Sequence, residues 1–179
     1  MEITNEWDKI FKLSDKVVYK KVTFHNRYGK ILVGDLYEPK DQKGKMLSIA
    51  VCCPFGAVKE QSSRLYSMTL AERGFITIAF DPSFTGESGG EPRYLNSPDF
   101  SDAVDYLSLK ENADPEKIGI VGICWWGGYA LNCSAQDPRI KATVASTIYD
   151  MSRVTTFGYN DTTAEEQRYE TKKNYVLKD

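Results

Sequence analysis

The chain has 179 residues, a formal net charge of −2 and 41% hydrophobic residues, enough for one globular domain with a substantial core. The slightly acidic balance gives no electrostatic case for nucleic-acid binding. No apolar run approaches the ~20 residues that span a membrane, and the N-terminus lacks the basic-then-apolar order of a signal peptide.

Residues 17–26 and 30–38 are strand-like, joined by a short turn over Asn26 to Gly29, which predicts an antiparallel hairpin. A polar loop leads to a continuous apolar strand, Met46 to Cys53, ended by Pro54. A helix follows over Ser62 to Arg73, with Leu65, Met68 and Ala71 expected inward and Gly74 as its stop. Residues 75–80 form the next buried strand. Asp81 to Tyr94 is a Gly-rich loop. Ser97 and Pro98 mark a helix start, with Ser97 as N-cap and Pro98 in the first turn. Phe100, Ala103, Val104 and Leu107 then fall on one apolar helix face. Asn112 to Pro115 turns the chain into an apolar run over 118–123, a strand expected to be central and buried on both faces. A helix over 127–135 and a strand over 140–148 complete residues 1–150. The remainder, 151–179, reads as a polar tail with helical potential over 163–177. An opening hairpin followed by alternating strand and helix predicts an α/β protein with a mainly parallel sheet flanked by helices.

The junction of the 118–123 strand with its helix carries the chemistry. Strand, sharp turn, helix is the setting of a nucleophile elbow, where the helix N-terminus offers free N–H groups to a developing oxyanion. Gly122, Ile123, Cys124 and Trp125 follow the Gly-x-nucleophile-x pattern. Trp126 then stands where a second glycine is expected, and Gly127 and Gly128 come late. Either Cys124 is the apex of a turn with one extra residue, or Trp125 or Trp126 holds the apex and there is no nucleophile. Cys52, Cys53 and Cys133 read as core residues without zinc-site spacing. Four thiols fit a reducing cytoplasm.

Ser88 satisfies Gly-x-Ser-x-Gly by letter, yet no strand leads into it at the needed distance and no helix opens behind it. Asp81, at a strand end, reads as an acceptor that organises its loop. His25, the sole histidine, lies in the opening hairpin, remote from the elbow. Asp150 ends a strand beside the elbow strand and offers an alternative acid.

Taken together, the segments Gly34 to Pro39, Pro54 to Gln61, Phe80 to Arg93, Gly122 to Gly128 and Ser146 to Arg153 resemble the α/β-hydrolase superfamily. The resemblance is closest to its dienelactone-hydrolase-like and X-prolyl-peptidase-like bacterial members. It implies hydrolysis of a carboxylic ester, lactone, amide or related acyl compound. Cys124 would be the nucleophile, with the backbone N–H groups of Phe55 and Trp125 as the oxyanion hole. It implies no cofactor and no metal, and a small-molecule acyl substrate as partner. The family order is nucleophile, acid, histidine, but no histidine follows Cys124 here. The expectation is a C-terminally incomplete, truncated fold with about six of its eight strands and impaired catalysis. Two other classes compete: a non-catalytic relic or interaction module that self-associates through an open sheet edge, and a thiol-reactive sensor using Cys124.

Overall fold

The computed structural model describes residues 10–90, 98–165 and 167–170. Among them, β1 (Val17–His25), β2 (Ile31–Pro39), β3 (Met46–Cys52), β4 (Ile76–Phe80), β5 (Ala113–Ile123) and β6 (Ile140–Ser146) form one sheet in the order β1-β2-β4-β3-β5-β6. The first hairpin is antiparallel and β2 meets β4 antiparallel, whereas β4, β3, β5 and β6 all run parallel. Four helices connect or follow the strands: α1 (Ser62–Ala71), α2 (Pro98–Ser108), α3 (Trp125–Gln136) and α4 (Met151–Phe157).

Sequence character explains the layering. All five residues of β4 are buried, as a parallel strand covered on both faces requires. On one face, Cys52, Ile78, Phe80 and Ile120 pack under Phe100, Ala103, Val104 and Leu107 of α2 and Trp126 and Ala130 of α3. On the other, Val17, Tyr37 and Ala79 meet Met68 and Ala71 of α1. Each large apolar side chain buried this way contributes about 1.5–3 kcal/mol.

The expected α2 stripe is fully buried, with Pro98 as its first residue; the Ser97 cap lies outside the described residues. Other expectations change. Leu65 is 39% exposed, while Ser63, Arg64, Ser67, Met68 and Ala71 form the buried side of α1. Three hydrogen bonds tie that polar side to its surroundings: Ser63 Oγ donates to the Lys59 carbonyl, Thr77 Oγ1 to the Ser67 carbonyl, and the Arg64 guanidinium to the Phe11 carbonyl. The C-cap of α1 is Glu72, two residues before Gly74. β5 begins at Ala113, five residues before the apolar run, because Ala113 pairs with Met46 across a register shift. β5 lies between β3 and β6, internal and buried over 118–123 except for half-buried Gly119, as expected. α3 starts at Trp125, two residues early. β6 ends at Ser146, where Thr147 turns to φ 48°. Of the helix expected over 163–177, residues 165 and 167–170 are helical, 163 and 164 are not, and 166 and 171–177 lie outside the described residues. No helix among the described residues is long and apolar enough to cross a membrane.

Candidate active site

Four parallel strands end on one edge of the sheet, and the loops beyond them form the site. β5 stops at Ile123, and α3 begins at Trp125. The single residue between them, Cys124, has φ 59° and ψ −123°. A non-glycine residue in this region carries of order 1–3 kcal/mol of strain. Two backbone bonds hold it: Cys124 N–H donates to the Ser146 carbonyl at 2.8 Å, and the Cys124 carbonyl accepts from Gly127 N–H at 3.0 Å. Cys124 therefore occupies the apex, and the turn has no extra residue.

The glycine pattern follows from this geometry. A Cβ on Gly122 would lie 2.1 Å from the Trp126 carbonyl oxygen, so the first turn of α3 sits directly on the strand. The Trp126 side chain turns away into the core, 5% exposed and edge-on to Phe100 at 5.8 Å between centroids. A large residue fits at 126 because only its backbone approaches Gly122.

Cys124 is half-buried against Val51, Val121 and Ile123. Cys52, Cys53 and Cys133 are buried, and all four thiols are free. Burial pushes the Cys52 and Cys133 thiols up from their ordinary value, which disfavours their thiolate forms.

After β3, the loop from Pro54 to Gln61 leans over the elbow. The Phe55 ring contacts Trp125 at 4.3 Å between centroids, tilted by 37°. The first N–H groups of any helix lack intrahelical partners, so the N–H of Trp125, first in α3, is available beside the apex. Cys53 Sγ donates to the Ala57 carbonyl at 3.1 Å and braces the loop from below.

A buried charge cluster, not read from the sequence, fixes this loop to the one after β4. The Lys59 ammonium is fully buried and lies 2.9 Å from Asp81, 2.6 Å from Glu87 and 2.5 Å from Glu60. The Lys59 N–H donates to the other Asp81 oxygen at 2.7 Å. Lys21 reaches Glu87 at 2.7 Å. Burial works against the Lys59 charge, but Asp81, Glu60 and Glu87 more than offset it, so its pKa lies above the ordinary lysine value. Burial pushes the Asp81 carboxyl up, and Lys59 opposes that rise. A Cβ on Gly86 would lie 2.2 Å from Asp81 Oδ2, so only glycine lets the second loop close over the carboxylate.

Of the remaining candidates, Ser88 and His25 are taken up elsewhere in the fold, and Asp150 borders the elbow only on its β6 side. Ser88 Oγ is buried, accepting from Val33 N–H at 2.8 Å and donating to the Asp81 carbonyl at 2.7 Å, so it ties a loop to β2. His25 ends β1, four strands from β5, a lateral distance of about 19 Å at the usual strand spacing. Asp150 is exposed and caps α4, accepting from Arg153 N–H at 2.9 Å. No group of three or more His, Cys, Asp or Glu placed to hold a metal occurs among the described residues.

Two hollows flank the helix start. One of about 500 Å³ lies between the loops after β3 and β4. The other, about 430 Å³, lies toward β6, against Ile148, Tyr149 and Asp150, and Trp125 and Tyr129 border both.

Comparison with known proteins agrees with this fold. The uncharacterized protein PA2218 of Pseudomonas aeruginosa is 58% identical over 177 residues, covering 96% of this chain and 48% of that protein. Its crystal structure superposes with a TM-score of 0.91 at 55% identity, over 98% of this chain and 57% of that one. Thiohydrolase aneE of Aspergillus aculeatus is 31% identical over 139 residues, 75% of this chain and 43% of that protein. The Pyrococcus furiosus esterase Pf2001 shares the fold, with a TM-score of 0.69 at 19% identity over 90% of this chain and 66% of that one. The chain spans about half the length of the curated relatives it matches. A sequence model of the X-Pro dipeptidyl-peptidase (S15) family matches residues 29–175, and with the α/β-hydrolase sheet and elbow in place, the chain belongs to that family.

Proposed function

We propose that the chain carries the acyl-transfer half of a hydrolase acting on an ester, thioester, lactone or amide, with Cys124 as nucleophile. The observation that carries this is the strained apex: a cysteine at φ 59° between a buried strand and a helix N-terminus. The Cys124 sulfur attacks the substrate carbonyl carbon. The N–H groups of Phe55 and Trp125 receive the oxyanion. The alcohol, thiol or amine departs with a proton, leaving acyl-Cys124. Water then attacks the same carbonyl carbon and frees the acid and the thiol.

That second attack needs a general base, usually worth ~10²–10⁴-fold. The sole histidine, His25, is four strands away. Asp150 stands as the alternative acid, on the β6 side of the elbow. Residues 1–179 alone are therefore expected to acylate once and deacylate slowly. The similarity to thiohydrolase aneE supports an acyl substrate with a sulfur leaving group. The four free cysteines support a reducing cytoplasm. β6, outermost in the sheet, is the edge through which the chain would self-associate.

The test is intact-mass measurement after reaction with p-nitrophenyl acetate. One acetyl group per chain is expected, absent in Cys124→Ala. Steady turnover lost in His25→Ala, or an acetyl group on Ser88, would falsify this assignment.

A further inference from the structure

We infer that the hollow between the loops after β3 and β4 selects an uncharged, planar aromatic group on the acyl side of the substrate. This rests on the acyl-transfer reading of Cys124 and adds the substrate class. The hollow has a volume of about 500 Å³, the size of a small-molecule site. Among the described residues that line it, none is Asp, Glu, Lys, Arg or His, and five are aromatic: Phe55, Phe84, Trp125, Trp126 and Tyr129. Four of these rings, all but Phe84, form a continuous array. Trp125 and Tyr129 lie within 15° of parallel at 6.3 Å, Phe55 leans on Trp125, and Tyr129 tilts against Trp126 at 5.0 Å.

Two further observations point to a ligand. Phe55 and Phe84 are 69% and 58% exposed, so neither ring is a core residue, yet they border one hollow from separate loops. Phe84 also has φ 63°, an outlier for a bulky side chain. Its N–H donates to the Gly89 carbonyl at 3.0 Å, and the Pro82–Thr85 turn closes beside it at 3.0 Å. The loop thus holds strain that sets an aromatic ring at the mouth. Both loops are fixed by the Lys59, Asp81 and Glu87 cluster, so the rings are pre-positioned, which lowers the ordering cost of binding. The cluster's charges do not line the hollow. A charged acyl group would lose its hydration there without gaining a partner.

The test separates binding from chemistry. Phenylacetamide, cyclohexylacetamide and succinamate are titrated calorimetrically into the Cys124→Ala chain. In parallel, wild type reacts with the S-ethyl thioesters of the same three acyl groups, and acyl-Cys124 is read by intact mass. Phenylacetamide is expected to bind roughly three- to tenfold tighter than its saturated counterpart, the range of one or two ring contacts. Succinamate is expected not to bind. Phe84→Leu should erase the aromatic preference and Phe84→Tyr should keep it, with melting curves confirming that both fold. Equal affinity for phenyl and cyclohexyl, or succinamate binding as tight, would overturn the inference. Aromatic preference without any acyl-Cys124 would support the inference and sink the nucleophile assignment instead.

Discussion

The two sides of the elbow are built differently. Toward β3 and β4, the flanking loops are fixed from within: Lys59 and Asp81 are fully buried, and their charges join two loops and β1. Toward β6, the surface is open. Val144 is 53% exposed, Ile148 and Tyr149 also face water, and α4 is held by an Asp150 cap and an exposed Arg153–Asp161 pair. The first side is pre-organised, as a transition-state binding surface needs to be. The second has few buried contacts to define it. Substitutions on the two sides should therefore differ in cost by several-fold, with the apex between them costing most in chemistry.

The largest effect is expected at the apex itself. Cys124→Ala should leave the fold intact and remove acyl transfer altogether, read as loss of the acetyl adduct. Gly122→Ala tests the apex from behind. Its Cβ would meet the backbone at 2.1 Å, so strand or helix must shift. We expect a loss of about 3 kcal/mol or more in chemical denaturation, within the range of severe backbone and overpacking effects, together with a sharp fall in acylation. An unchanged melting temperature would mean that α3 is free to move away from β5.

Next comes the closed side. Lys59→Met leaves Asp81, Glu87 and Glu60 together without their shared cation. Removing one member of a buried charge group typically costs ~3–5 kcal/mol. Acylation should fall as well, because the Phe55 loop loses its tie to the loop after β4. A variant that unfolds like wild type but acylates slowly would show that the cluster positions the loop without stabilising the fold.

This contrast marks what the sequence could disclose. The strands, the α2 stripe and the elbow were legible because apolar periodicity and glycine spacing are local signals. Phe100, Ala103, Val104 and Leu107 needed only their own helix to be read. Leu65 misled because the buried side of α1 is polar and is tied to Phe11, Lys59 and Thr77 outside the helix. Trp126 obscured the apex because the sequence does not show that its backbone, and not its ring, meets Gly122. Lys59 was silent. A lysine in a loop ordinarily faces water, and its partners Asp81 and Glu87 lie 22 and 28 residues away. The aromatic hollow likewise needs the loops after β3 and β4 and the start of α3 brought together before it exists.

The smallest effect is expected at the end of β6 far from the elbow, where Asp137 caps α3, and pH makes it measurable. Asp137, just before β6, accepts from Arg139 through both oxygens, at 2.9 Å from Nε and 2.7 Å from Nη2. This pair lowers the carboxyl from its ordinary 3.8 to about 2. A depressed carboxyl stabilises the fold above its unfolded value and loses that contribution as pH falls toward about 2. The full shift would correspond to at most ~2.5 kcal/mol at 1.36 kcal/mol per unit. The Arg139 side chain is 41% exposed, so solvent screens the pair, and we expect ~1 kcal/mol or less. Asp137→Asn should therefore be slightly less stable than wild type between pH 5 and 7. The two curves should converge as pH falls from 4 to 2. Added salt should shrink the gap at pH 6, whereas the Lys59→Met deficit, coming from buried charge, should persist. A cost for Asp137→Asn equal to that of Lys59→Met would erase the distinction between a screened ion pair and a buried charge cluster.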